Sequence, residues 1–401
     1  MKQNLVVAGL TGLSLLLLAA IFVSPLWWVS LTAPNDPPEA FPAGVRIHFH
    51  MSGVFNGCRK VEKDEIQEVE ALDCVHEMDT INHYVGMYPI AAGGPIERAF
   101  SQFLMTFLGV MLLGFVITSP ALRTAVMGTG FAVILVWMYV TIYADNGFSM
   151  QSEAYVTALV TSLDQDPTAE AEAPSESGVV AALRRSLEAS GVKVDAPSAA
   201  DSGPLSDKQR LIDQLYVTFA KDQQRSGKNE AWNGSTFQLM SWHYGKSLGR
   251  YFNNPAEIEP RVRTVKMATH LVFGGLIAAM LLLLVASRNT GGLFYWLLVL
   301  VPMALPVLFV IDYAAWLWFF GHHLNTMGAF TVKPFMPTVF GQGKVAQFAT
   351  HSYPYTGFGL MLLNSVLLGI AALTRRKQLQ DAGARYRTLN GVPCCICYSL
   401  W

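Results

Sequence analysis

LVVAGLTGLSLLLLAAIFVSPLWWV, residues 5–29, is the first of the apolar stretches that decide the fold of this chain. A helix needs about 20 mostly apolar residues to cross the hydrocarbon core of a bilayer, and this stretch supplies them. We interpret it as an uncleaved membrane anchor, with Trp27 and Trp28 at the membrane interface. Cleavage after Ala20, as in a secretory signal peptide, stays open as the alternative.

Five further apolar stretches bring the predicted spans to six: residues 100–118, 125–142, 268–286, 293–320 and 358–373. Pro302 and Pro306 interrupt the fifth span and should kink it. Composition agrees, because only 14% of the residues are charged and 52% are hydrophobic, whereas soluble domains carry about 25% charged residues. The chain is therefore expected to lie in a lipid bilayer. Its net charge of −1 indicates no nucleic-acid partner.

Positive charge in the short loops orients the spans. Lys2, Arg123, Arg288 and residues 375–377 all fall on one side, which should be cytoplasmic. Both termini then lie inside, and all nine histidines lie outside or at the outer membrane face. The predicted divisions are 1–29 (first span), 30–97 (head), 98–145 (spans two and three), 146–265 (head insert), 266–320 (spans four and five), 321–356 (head loop), 357–374 (sixth span) and 375–401 (cytoplasmic tail).

The predicted fold is thus an all-α polytopic membrane protein with six transmembrane helices. Its extracytoplasmic head should combine loops, short strands and helices. Residues 44–55 partly alternate as in a strand, and the acidic run 61–71 suits a short helix or a loop. In the insert, residues 164–177 and 195–206 have the composition of loosely ordered linkers. Residues 178–190 and 206–224 have amphipathic helical patterns.

The head is rich in side chains that bind soft metal ions. Thiolate, imidazole and thioether groups together form the ligand set that Cu(I) prefers. The candidate metal ligands are Cys74, His76, Met78, His83, Met87, His48, His50, His322, His323 and His351, with Asn82, Tyr84 and Asp312 as further site residues.

Two interpretations of this cluster stay open. Cys74, His76 and Met78 alternate, so a strand would place all three side chains on one face, whereas a helix would spread them apart. In the alternative interpretation the methionines pack against the membrane surface, the histidines are ordinary polar loop residues, and Cys58 and Cys74 form a structural disulfide. No fixed ligand spacing, such as that of a zinc ribbon, decides between them.

Asp312 is an ionisable residue within a predicted span, which makes it a functional candidate by default. It lies about 28 Å along the fifth span at 1.5 Å per residue, near the outer interface. A bond to Tyr313 or to a neighbouring helix, or simple extension toward water, would explain it equally well.

Several motifs are missing or incomplete. The sequence has no CxxCH haem attachment motif and no hydrolase nucleophile elbow, so an enzyme is not indicated. Gly341-x-Gly-Lys lacks the spacing of a phosphate-binding loop. The tail holds Cys394, Cys395 and Cys397 without a second ligand pair, which leaves palmitoylation, adventitious metal or no role open.

Several motifs resemble those of a little-characterised family of multi-pass membrane proteins, found in gene clusters for atypical, Sec-exported nitrous-oxide reductases beside copper-delivery proteins. The matching motifs are Ile81-Asn-His-Tyr-Val-Gly-Met-Tyr-Pro-Ile, Leu31-Thr-Ala-Pro, Asp312-Tyr-x-x-Trp-Leu-Trp-x-x-Gly-His-His-Leu, Lys333-Pro-Phe-Met-Pro and Phe348-x-Thr-His-Ser-Tyr-Pro. The resemblance covers roughly residues 20–95 and 290–373. The residues carried over are Asn82, His83, Tyr84, Gly86, Met87, Asp312, His322 and Pro334.

The resemblance implies an accessory role in copper-enzyme maturation or electron supply, in the cytoplasmic membrane of a bacterium. Cys58, Cys74, His76 and the pair His48 and His50 depart from the family pattern, so a copper site built on them would be peculiar to this chain. We therefore expect a protein that binds or hands on copper, or that docks a periplasmic copper or redox partner. A structural subunit of a membrane respiratory or oxygenase complex is the first alternative, and a small-solute or metal transporter is the second.

Overall fold

The computed structural model describes residues 2–33, 41–58, 73–163, 207–345 and 347–389. The acidic run 61–71, the linker 164–177, the predicted helix 178–190 and the tail cysteines lie outside the described residues, as does the linker 195–206. The predicted helix near 206–224 is confirmed and spans Asp207–Ser226.

Helices dominate the described chain. In chain order they are α1 (Lys2–Val23), α2 (Cys74–Tyr84), α3 (Pro95–Val116), α4 (Pro120–Tyr143), α5 (Glu153–Thr161), α6 (Asp207–Ser226), α7 (Thr236–Leu248), α8 (Pro255–Ala286), α9 (Leu293–Met303), α10 (Leu305–His322) and α11 (Thr356–Leu389), with short 3-10 turns at Ile90–Ala92 and Gly147–Met150. Six of them, α1, α3, α4, α8, α10 and α11, are long and apolar enough to cross a membrane. The predicted number of span-length helices is confirmed for the described residues.

The first span ends earlier than its apolar composition suggests. Helix α1 stops at Val23, and Pro25, which has no N–H to continue a helix, follows two residues later. Trp27 begins a strand and is only 3% exposed, with its indole N–H donating to Ser352 Oγ at 2.8 Å. The expectation that Trp27 lies at the membrane interface is wrong, because the sheet buries it.

The fifth span is broken rather than kinked. Helix α9 ends at Met303, and α10 starts at Leu305 after the single residue Ala304. Pro306 occupies the first turn of α10, where a missing N–H costs nothing. Only α10 has the length of a membrane span, and α9 is a shorter apolar helix before it.

In the described part of the head, five strands form an antiparallel sheet in the order β3-β2-β1-β5-β4. Its strands are β1 (Trp27–Thr32), β2 (Val45–His50), β3 (Gly53–Asn56), β4 (Gly341–Val345) and β5 (Phe348–Pro354). The strand expected within residues 44–55 is a hairpin of two strands, with its turn at Met51 and Ser52. Central β1 pairs with β2 on one side and with β5 on the other, which joins the two ends of the chain.

Two span-length helices run directly into this sheet. Helix α1 precedes β1 and helix α11 follows β5, and the amide of Gly357 donates to Pro25 O at 2.8 Å where they meet. The two helices pack against each other, and at their other ends Arg375 donates to Asn4 Oδ1 at 3.2 Å. The head sheet is therefore a continuation of the helix pair α1 and α11.

Below the sheet lies a small aromatic core. The Trp27 ring lies 5.6 Å from that of Tyr313 and 5.3 Å from that of Phe358. Helix α2 packs into the same core through Val75 and Met78, and Cys74 at its start is bonded to Cys58, which follows β3. Asp73 caps this helix by accepting from the amides of Val75 and His76.

Candidate functional site

The Cys58–Cys74 disulfide removes one of the predicted metal ligands, Cys74. Both sulfur atoms are bonded to each other, so neither is a thiolate available to Cu(I) in this form. Cys74 is fully buried as the first residue of α2. The expectation of a Cys74 metal ligand is therefore corrected, and the structural disulfide that the sequence left open is the pairing observed.

The other members of the Cys74 stretch diverge because the stretch is helical. Met78 follows Cys74 by four residues, shares its inward face and is 1% exposed. His76 lies on a different side of the helix, where its Nδ1 contacts the Arg250 guanidinium. A common face for all three side chains, expected for a strand, does not form.

His83 and Tyr84 lie at the end of α2, where His83 contacts Tyr251 and Tyr84 contacts Phe330. The His83 ring stacks on Tyr251 with centroids 4.6 Å apart and planes 7° apart, and its Nδ1 contacts Thr80 O. Tyr84 is 43% exposed. Of the neighbouring predicted residues, Asn82 is half-buried and Met87 is 3% exposed within the core.

His48 and His50 alternate along β2 and are held by aromatic rings. His48 stacks on Tyr355 with centroids 5.1 Å apart, and His50 meets Phe55 edge-on at 4.8 Å. Burial, and then the charge of Arg46, lowers the pKa of His48. Burial, and then His48, lowers the pKa of His50 to about 4. Both imidazoles are accordingly neutral at pH 7.

His322, His323 and His351 do not join the histidines of β2 in one cluster. On the last turn of α10, His322 stacks on Trp318 and His323 on Phe319, each four residues earlier. Their Nδ1 atoms contact the carbonyl oxygens of the same two residues at 2.9 Å. His351 lies in β5 opposite Ser30. Within the described ranges, no group of three or more His, Cys, Asp or Glu side chains could hold a metal ion.

The head regions 30–97 and 321–356 nevertheless pack against each other closely. They share the sheet, and two backbone hydrogen bonds join them as well. The backbone N–H of Asn325 donates to Gly86 O at 2.8 Å, and that of Phe330 donates to Tyr84 O at 2.9 Å. Gly86 has a φ of +83°, and a Cβ there would lie 2.5 Å from Asn325 O. Only glycine fits both the backbone conformation and the close approach at this position.

A polar network that the sequence did not suggest fixes this junction to α8. The Tyr88 hydroxyl donates to Glu257 Oε2 at 2.7 Å, and Asn325 Nδ2 donates to the Tyr88 oxygen at 3.0 Å. The Arg261 guanidinium lies 4.3 Å above the Tyr88 ring and 3.9 Å from Glu257. Only Glu257 and Arg261, four residues apart on α8, have a local spacing, and no local pattern links this pair to Tyr88 or Asn325.

A cavity of about 570 Å³ lies directly below the β2–β3 turn, between helices α3, α8 and α10. Pockets for small molecules typically measure about 300–1,000 Å³ and are mostly apolar. Leucines supply much of the wall, namely Leu26, Leu104, Leu108, Leu276, Leu305, Leu308 and Leu317. Between α8 and α10 the wall is open, since Val272 is 38% and Leu308 49% exposed.

Charged groups are confined to one part of this cavity. Asp312 of α10 and Glu97 of α3 both line it and interact electrostatically. Glu97 accepts a hydrogen bond from the Trp316 indole N–H at 3.2 Å, whereas Asp312 has no hydrogen-bond partner in the described structure. Arg98 flanks them and donates from Nε to Gly94 O at 3.2 Å. The sequence singled out Asp312 and His50 but not the cavity that they share.

The chain matches no protein-family model, no curated protein and no solved structure. The resemblance to the nitrous-oxide reductase accessory family therefore rests on the quoted motifs alone.

Proposed function

We propose that this chain is an accessory protein of a bacterial respiratory copper-enzyme system, embedded in the cytoplasmic membrane. Its six span-length helices would cross the bilayer with both termini inside, and its head would dock a periplasmic redox or copper partner. The docking form of the proposal is preferred over copper storage, because Cys74 is in a disulfide and the candidate ligands point to separate neighbours.

The observation that carries the docking role is an exposed apolar patch on the head. We call Tyr84, Met327 and Phe330 the Tyr84 patch; these side chains are 43%, 66% and 62% exposed. Tyrosine and other aromatic residues and methionine are enriched in protein interfaces, and exposed apolar patches mark contact sites.

The Tyr84 patch is held rigidly from beneath. The Met327 amide donates to Asn325 Oδ1 at 2.8 Å, and the same Asn325 side chain donates to Tyr88 and Glu257. Phe330 is joined to Tyr84 through the backbone. A preorganised patch loses little conformational entropy on binding, which favours a defined partner.

Docking is tested by site-specific photo-crosslinking in native membranes. A photoreactive phenylalanine analogue at Phe330 should give one discrete adduct with a periplasmic protein, identified by mass spectrometry. The same analogue at Lys344, an exposed residue of β4 outside the patch, is the matched control. Identical adducts from both positions, or none at Phe330, would contradict the proposal.

Copper binding by the head is tested separately from docking, by measuring copper per chain in purified protein at micromolar free Cu(I) under reducing conditions. The docking form predicts no stoichiometric copper in the native protein. Near-stoichiometric copper that is lost in His83→Ala or in Cys74→Ala would establish copper handling by the head instead. Each variant also reports which residue set carries the metal.

A further inference from the structure

We propose that the cavity between α3, α8 and α10 is a binding site for a lipophilic organic monocation, a molecule with one positive charge on a largely apolar body. This inference is independent of docking by the head. It rests on the charge, the lining and the opening of the cavity.

The charge of the cavity selects a cation. Glu97 and Asp312 contribute two carboxylates, and Arg98 contributes one guanidinium, which leaves one net negative charge. His50 also lines the cavity and is neutral at pH 7, because burial lowers its pKa to about 4. A single positive charge would neutralise the group, whereas an anion would add to the repulsion between the carboxylates.

The two carboxylates differ in their hydrogen bonding, and Asp312 is the one left for a bound cation. Glu97 already accepts from Trp316, whereas Asp312, which is exposed and lines a mostly apolar cavity, has no hydrogen-bond partner among the described residues. In such surroundings a carboxylate attracts a cation more strongly than it does in bulk water. Asp312 is thus the residue expected to contact the charged group of the ligand.

Trp316, which donates to Glu97, is one of five aromatic residues that line the cavity, the others being Phe49, Phe309, Tyr313 and Phe320. The faces of such rings attract organic cations, most strongly when the site is shielded from water. Farther from the carboxylates the wall consists of leucine and valine, including Leu104, Leu108 and Leu276. Together these surfaces match a molecule that carries one positive charge and a large apolar surface.

The opening determines the direction of entry. Val272 of α8 and Leu308 of α10 flank the gap and are both exposed, and both belong to helices long and apolar enough to cross a membrane. In a bilayer, an opening at this place would admit a cation that partitions into lipid.

The test uses tetraphenylphosphonium as the probe and tetraphenylborate, which has the same shape and the opposite charge, as its control. Binding is measured by equilibrium dialysis against the full-length protein in nanodiscs, with empty nanodiscs subtracted. We expect one saturable tetraphenylphosphonium site per chain and no saturable site for tetraphenylborate. Equal affinity for both ions would overturn the charge assignment.

Two variants locate the site. Asp312→Asn keeps the shape of the side chain and should weaken tetraphenylphosphonium binding roughly tenfold or more, the order expected when one charge is removed close to a bound cation. The matched control is Glu153→Gln, which removes an exposed carboxylate of α5 outside the cavity and should leave binding unchanged. An unchanged affinity in Asp312→Asn would refute the role of this carboxylate.

Ala268→Phe provides an independent check because it fills the cavity from α8 without altering any charge. It should abolish saturable binding while the thermal unfolding midpoint stays near that of the native protein. Native affinity in this variant would place the probe elsewhere and overturn the proposal.

Discussion

Gly86→Ala should weaken the contact between Gly86 and Asn325, and the resulting loss in the free energy of unfolding can be estimated from the structure. Gly86 has a φ of +83°, and Gly227, at the end of α6, has a φ of +67°. An alanine in a left-handed conformation costs about 1–2 kcal/mol. At Gly227 this is the whole effect, because a Cβ there meets nothing within 4 Å.

At position 86 a steric term adds to the conformational one. The new Cβ would lie 2.5 Å from Asn325 O and 3.2 Å from Asn325 N, both backbone atoms that cannot rotate away. Overpacking of this kind costs about 1–3 kcal/mol, so the total loss of stability is roughly 2–5 kcal/mol. Displacing Asn325 would also disturb its hydrogen bonds to Tyr88 and Glu257.

The assay is thermal unfolding of the purified protein, followed by tryptophan fluorescence in one detergent. The midpoint should fall slightly in Gly227→Ala and clearly further in Gly86→Ala. If the two variants lowered it equally, the contact between Gly86 and Asn325 would contribute nothing, and our account of the head junction would be refuted.

Three further outcomes follow from the fold. Reduction of Cys58–Cys74, which are 16 residues apart, should cost about 3 kcal/mol; a reductant should lower the unfolding midpoint of the native protein but not that of a Cys58→Ser/Cys74→Ser variant. Burial, and then Arg98, lowers the pKa of His243 from 6.5 to about 3. The neutral imidazole therefore contributes its full share to the free energy of unfolding above pH 6.5, and about 2 kcal/mol of it is lost by pH 5, because the unfolded chain binds the proton first. His243→Asn should make the unfolding midpoint fall less steeply between these pH values, and an unchanged slope would contradict the assignment. In intact cells, with the tail cysteines changed to serine, a membrane-impermeant maleimide should label Asn229→Cys in the insert and not Arg288→Cys; the reverse pattern would invert the proposed orientation.

The helices could be predicted because their signal is local. Apolar runs of span length are visible in any window of the sequence, and five of the six predicted spans match one helix each. The exceptions arise where composition and backbone chemistry disagree. Residues 24–29 continue the mostly apolar stretch, yet Pro25 ends the helix and the residues from Trp27 onward pair with β5 in a sheet. Pro25 was the available signal.

The sites were less accessible because they depend on contacts between distant segments. The stacking of His322 on Trp318 follows from a four-residue spacing on a helix and could have been anticipated. The cap at Asp73 likewise favoured a helix over a strand for Cys74 and His76. The network of Tyr88, Glu257 and Asn325 and the cavity at Asp312 have no such signal, since each is created only when separate elements meet.

The central position of β1 has a consequence for biosynthesis. The hydrogen bond from Thr32 to Ala349 O joins residues 317 positions apart, and at about 5–20 residues per second a ribosome needs roughly 15–60 s to cover that distance. During this interval β1 can pair with β2, but its other edge stays unpaired because β5 has not yet been synthesised. Unpaired strand edges promote association between chains. Expression yield should therefore depend on whatever shields this edge until the last helix has been made.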